Sequence, residues 1–125
     1  MITELNYIKG DATKPIGEGN KFLIHICNNQ GGWGKGFVLA ISKRWKEPQK
    51  KYKELLDRKL GDIQFVKVED NLTVVNMIAQ NGYKSPSNPI PLCYDSLKRC
   101  RYKTFFTISS MNLENPSIHC PRIGS

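Results

Sequence analysis

Groups able to do chemistry are concentrated in one segment, Ile26-Cys27-Asn28-Asn29-Gln30-Gly31-Gly32-Trp33-Gly34-Lys35-Gly36-Phe37, with His25 just before it. Four of these twelve residues are glycine, and the segment joins an apolar run to a helical pattern. Such a turn suits anions: glycines let backbone N–H groups approach a phosphate, and the helix N-terminus adds partial positive charge. Two familiar phosphate loops are excluded. Lys35 is followed by Gly36 rather than Ser or Thr, and the third glycine of a G-x-G-x-x-G pattern arrives one residue early. His25 is the one catalytic candidate, since an imidazole titrating near neutrality can serve as general acid or base; the competing reading is a histidine packed in the core. Asn28 either contacts a ligand or satisfies loose backbone groups at a strand end, and Asp11 either contacts a ligand or closes an Asx turn after Gly10.

The elements that must position these groups are legible from periodicity. Lys21 to Cys27, KFLIHIC, is nearly all apolar and predicts a strand buried on both faces. Phe37, Ile41 and Trp45, with Val38 alongside, form one stripe of a helix. Pro48 opens a second helix, with Tyr52, Leu55, Leu56 and Lys59 on one face and Gly61 as its stop. Leu5 to Ile8 is a short strand. Ile63 to Val68 and Leu72 to Ala79 predict an antiparallel pair whose turn draws on positive φ angles at Asp70-Asn71. Asn81 to Pro91 reads as a proline-rich surface loop. Cys93 to about Ser110 is a helix candidate in which Thr104 to Ile108 also fits a strand, and Ser117 to Cys120 is a last short strand. Strands separated by helical stretches predict an α/β fold with helices packed on a mixed sheet.

The chain has 125 residues and fits one domain, 1–125. No run of about 18 apolar residues is present, and the start MITELNYIKGD carries an acid and an asparagine where a signal peptide needs an apolar stretch, so the expected location is the cytoplasm. Cys27, Cys93, Cys100 and Cys120 show no C-x-x-C spacing and are expected to be free, buried or half-buried thiols, with no metal implied. The net charge of +8 favours an anionic partner. Eight basic residues between Lys43 and Lys59 are interleaved with Glu47, Glu54 and Asp57. They read as a solvated helical face, with a nucleic-acid-binding surface as the alternative.

Four pieces carry a family resemblance: YIKGDATKPIG (Tyr7 to Gly17), IHICNNQGGWGKGFVLAISKRW (Ile24 to Trp45), LGDIQFVKVEDNLTVVNMIAQ (Leu60 to Gln80) and PRIG (Pro121 to Gly124). The chain resembles the macro domains, modules that bind ADP-ribose. Within them it is similar to the branch holding ADP-ribose 1''-phosphate phosphatases and small bacterial homologues. The resemblance implies a three-layer mixed sheet flanked by helices and a ligand that is ADP-ribose or ADP-ribose 1''-phosphate, without cofactor or membrane. It places Asp11 and the neighbouring Ala12 at the adenine edge and Asn28 on the distal ribose. Gly32, Trp33, Gly34, Lys35, Gly36, Phe37 and Val38 would form a first phosphate loop, and Gly124 and Ser125 would begin a second. His25 matches a histidine of the phosphatase-like branch, where it would serve a phosphomonoester. A related branch uses a lysine about where this chain has Gln80, which argues against a covalent lysine mechanism, with Lys84 nearby.

The sequence also departs from the family. Its members are expected to continue past PRIG with a glycine-rich loop, a helix and a final strand lying between the first strand and the strand of Cys120. On this reading the domain is C-terminally incomplete and the Tyr7 strand loses its neighbour. Binding is then expected to be weak and catalysis low, with an inactive remnant as the limiting case.

Overall fold

The computed structural model describes the backbone of Leu5–Tyr7 and all of residues 11–121. Its elements in chain order are β1 (Leu5–Tyr7), β2 (Lys21–Asn28), α1 (Phe37–Arg44), α2 (Glu47–Glu54), β3 (Ile63–Glu69), β4 (Leu72–Gln80), α3 (Tyr94–Ser110) and β5 (Ser117–Cys120). The strands form one mixed sheet in the order β1-β5-β2-β4-β3. All neighbours are parallel except β3, which runs antiparallel to β4 at the edge. No helix of the described residues is long and apolar enough to cross a membrane.

Alternation along β2 and β4 builds the three layers. Phe22, Ile24, Val75, Met77 and Ala79 face α3, where they meet Leu97, Cys100 and Ile108. Leu23, Cys27, Val74 and Ile78 face the other way, onto Val38, Ile41 and Trp45 of the α1 segment and Tyr52 of α2. Because both faces of these strands are covered, β2 and β4 read as nearly unbroken apolar runs. α3 is helical throughout, Thr104 to Ile108 included, and buried Thr104 returns its hydroxyl to Cys100 O at 2.8 Å.

A polar row crosses the apolar layer under α1 and α2. His25, Asn76 and Gln64 lie opposite one another on β2, β4 and β3. His25 Nε2 donates to Asn76 Oδ1 at 2.5 Å, and Asn76 Nδ2 donates to Gln64 Oε1 and to Pro48 O at 3.0 and 3.1 Å. Gln64 Nε2 then donates to Lys51 O at 3.0 Å. Buried polar atoms are tolerable only when paired; here the pairing fastens α2 to the sheet at two carbonyls.

Three sequence expectations need correction. The Tyr7 strand has a neighbour: β1 pairs directly with β5, Leu5 with Ile118 and Tyr7 with Cys120, which gives the outer edge of β5 the hydrogen-bond partners a strand edge needs. The β3–β4 turn uses no positive φ at Asp70 or Asn71; instead the register slips between Lys67 and Glu69, and this bulge supplies the extra twist. α2 ends at Glu54, leaving Leu56 fully exposed, because Arg58 folds back to donate to Tyr52 O and Lys53 O and so satisfies the last carbonyls. Gly61, at φ 96°, lies in the turn before β3, with its N–H on Ile78 O.

All four thiols are free, with Cys27, Cys100 and Cys120 buried and Cys93 half-buried. In the basic segment Arg44 pairs with Glu69, Lys51 with Glu54 and Lys59 with Asp57, all at partly exposed side chains, as on a solvated face. Ile41 is fully buried between α1 and the sheet. Replacing Ile41 with Ala is expected to cost about 3 kcal/mol in denaturant unfolding, the range of large-to-small core changes that leave a cavity.

Candidate functional site

The site is built where β2 ends. β4 carries one extra residue opposite the step from Cys27 to Asn28, so the regular ladder stops there and the chain turns away. Asn28 organises the turn: its Oδ1 accepts from Gln30 N at 2.8 Å and Gly32 N at 3.1 Å, and its Nδ2 donates to Gly32 O at 3.0 Å. The Tyr52 hydroxyl lies 2.7 Å from Asn28 O and 2.9 Å from Asn28 Oδ1, and it accepts from Gly31 N at 3.0 Å. Asn28 therefore satisfies loose backbone groups at the strand end, and one of its amide N–H groups lies outside this set. Lys53 Nζ donates to Gly31 O, bringing positive charge to the same turn.

Gly32 is a glycine of close approach. A Cβ there would lie 2.5 Å from the Tyr83 hydroxyl, so Tyr83 of the proline-rich loop rests on bare backbone. That loop is docked by Asn29, whose Oδ1 accepts from Gly82 N at 2.9 Å and whose Nδ2 donates to Asn81 Oδ1 at 3.1 Å. Tyr83 stays half-exposed beside Asn28.

Trp33 turns inward. Its indole is buried, donates to Ser42 Oγ at 2.6 Å, and packs edge-on against His25 and tilted against Tyr52. Anchored there, the backbone runs out through exposed Gly34, Lys35 and Gly36 to α1. Gly36, the N-cap at φ 80°, carries no side-chain cap, and the first turn has no acidic residue. Helix geometry then leaves the N–H groups of Gly36, Phe37 and Val38 without intrahelical acceptors. At Gly34 and Gly36 a Cβ would meet nothing within 4 Å, so the backbone faces open space.

The remaining sequence-assigned residues occupy quite different surroundings. Asp11 Oδ1 accepts from Thr13 Oγ1 at 2.6 Å and Thr13 N at 3.0 Å, an Asx turn whose hydroxyl and amide donors hold the carboxyl below its ordinary pKa. Ala12 is buried. Gly124 and Ser125 lie outside the described residues. His25 is buried under Trp33, and burial pulls its pKa down to about 4 against the opposing effect of the hydrogen bond it donates to Asn76. Asn76 Oδ1 can only accept, so His25 carries its proton on Nε2. Among the described residues no three His, Cys, Asp or Glu side chains cluster as a metal site. Sequence reasoning did not single out Tyr52 or Tyr83 as site residues. For Tyr52 a signal was available: a tyrosine in a buried helix stripe brings a hydroxyl that needs a partner.

No family model matches the sequence. Solved structures do. A macrodomain protein from Streptomyces coelicolor superposes with a TM-score of 0.82 and 39% identity, over 97% of this chain and 80% of that one. A protein of unknown function from Bacteroides thetaiotaomicron gives 0.83 and 49%, over 97% and 78%. The chain belongs to the macrodomain family. Among curated proteins, the ADP-ribose 1''-phosphate phosphatase of Meyerozyma guilliermondii is 36% identical over 53 residues, which is 42% of this chain and 30% of that protein. The matched stretches span a third or less of the curated relatives.

The buried imidazole makes stability depend on pH. Between its ordinary value of 6.5 and about 4 the unfolded chain binds a proton at His25 that the folded chain does not. The stabilisation is therefore complete above pH 6.5 and is lost as pH falls toward 4, about 3 kcal/mol in all. Urea unfolding across this range should show the fall, and labelled His25 ring resonances should remain those of a neutral Nε2–H tautomer until the pH is near 4; a titration midpoint near 6.5 would contradict the assignment.

Proposed function

We propose that this chain binds ADP-ribose or ADP-ribose 1''-phosphate, with a phosphate held at the open N-terminus of α1 and the distal ribose at Asn28. The observation that carries the reading is the uncapped α1 start behind Gly34 and Gly36, where backbone N–H groups meet open space with no acidic residue in the turn. Backbone donors and the helix dipole stabilise an anion there without a counter-ion, and Lys35 and Lys53 add positive charge beside them. Asp11, kept ionised by Thr13, offers an acceptor at the strand end after β1, in keeping with the adenine edge. Ala12 beside it is buried, and Gly124 and Ser125 are taken as further ligand-contact residues on the family likeness.

Removal of the 1''-phosphate is the reaction we assign to this site, on the likeness to the phosphatase and on the donors at α1. Water forms a bond to phosphorus, the ester bond to the ribose oxygen breaks, and that oxygen leaves as the hydroxyl of ADP-ribose. Donors fixed where charge accumulates lower the barrier without reorganising. His25 contributes as a neutral, Nε2-protonated ring under the loop; its depressed pKa gives little support to proton transfer by this residue near neutrality. A cytoplasmic location fits the four free thiols.

Calorimetric titration with ADP-ribose should give saturable 1:1 binding, and Asn28→Ala should weaken it about tenfold, near 1.4 kcal/mol. No heat at millimolar ADP-ribose would overturn the reading. Phosphate release from ADP-ribose 1''-phosphate tests the reaction separately.

A further inference from the structure

Tyr52 is not a loop residue, yet the loop is built on it. It stands in the last turn of α2 with its ring fully buried between Trp33, 5.3 Å away, and the Arg58 guanidinium, 5.0 Å above it. Its hydroxyl reaches both ends of the turn, Asn28 O and Oδ1 on one side and Gly31 N on the other. Burial and its neighbours push the phenol up to about 12, so it remains protonated and donates at every pH of interest.

We infer that Tyr52 is a positioning residue: its hydroxyl sets the Asn28 carboxamide so that Nδ2 is presented to a sugar hydroxyl, a role that rests on the ADP-ribose reading above. The geometry decides this in two steps. Oδ1 already collects N–H donors from Gln30 and Gly32, so an amide flip would set Nδ2 against two donors, and the Tyr52 hydroxyl, its one proton placed between Asn28 O and Oδ1, holds the carboxamide against its own backbone. With Oδ1 fixed, Nδ2 spends one N–H on Gly32 O and keeps the other for the ligand. The bond from Gly31 N to the same hydroxyl keeps the turn from relaxing around the asparagine. α2 is itself tied to the sheet through Pro48 O and Lys51 O, so the placement is transmitted from the core to the sugar-binding amide.

The test is a double-mutant cycle on the full chain, with ADP-ribose as titrant, comparing wild type, Tyr52→Phe, Asn28→Ala and the pair. Phe keeps the ring packing and removes the hydroxyl. Tyr52→Phe is expected to weaken ADP-ribose about tenfold in the wild-type background and to cause no further loss in Asn28→Ala. Additive losses, or an unchanged affinity in Tyr52→Phe, overturn the positioning role while leaving the ADP-ribose reading intact. No binding by wild type overturns that reading, and the positioning role with it. Amide exchange on the wild-type chain without ligand tests the geometry even if the variant folds poorly: Gly31 N–H should be protected, and exchange at the open-coil rate would overturn the inference.

Discussion

The carboxamide of Asn76 sits at the centre of the sheet with no exposure to water, and most of the architecture on that side follows from keeping it paired. Its oxygen can be satisfied only by a donor on β2 and its nitrogen only by acceptors on β3 and α2, and His25, Gln64 and Pro48 O supply them. An apolar replacement would ask nothing of its neighbours. A fully connected polar row instead fixes three strands and one helix in a single register, because any slip leaves a buried donor or acceptor empty. Burial beneath Trp33 keeps His25 neutral, against the pull of its hydrogen bond to Asn76, which favours the charged ring.

From there order spreads outward to the loop. α2, held at two carbonyls, carries Tyr52 into the turn, and Trp33 pins the next residue of the loop to Ser42. Beyond Trp33 restraint stops and exposed backbone begins. The loop thus joins an end held rigidly by side chains to an end made of main chain alone. Donors on the main chain cannot rotate away, so little ordering is left for binding to bring about.

The sequence was most informative where one periodicity dominated. KFLIHIC read as a strand covered on both faces, Leu72 to Ala79 as a strand paired antiparallel with Ile63 to Val68, and the stripe of Phe37, Ile41 and Trp45 placed α1 and hence the glycine turn before it. What stayed hidden depended on distant partners. The end of α2 is decided by Arg58 folding back, which no pattern in Leu55-Leu56 announces. The pairing of β1 with β5 joins residues more than a hundred positions apart and leaves no local mark. The resemblance set Trp33 in the phosphate loop; its ring is buried against the core, and the exposed run of backbone begins after it. For His25 the pattern left two readings open, proton transfer or packing in the core, and the structure buries the ring.

The two hydrogen bonds from the Asn29 side chain to Asn81 and Gly82 have a different kind of significance. They make the proline-rich loop a passenger on the glycine loop, held at its root, while Asn88 closes its rim by donating Nδ2 to Asn81 O and Tyr83 O. A protein arranged this way separates recognition into two layers of text. The inner layer, glycine and asparagine, is spelled by backbone geometry and admits few synonyms. The outer layer, beginning at Tyr83, is written in side chains that rest on that backbone, so a change there alters the rim without altering the turn beneath it.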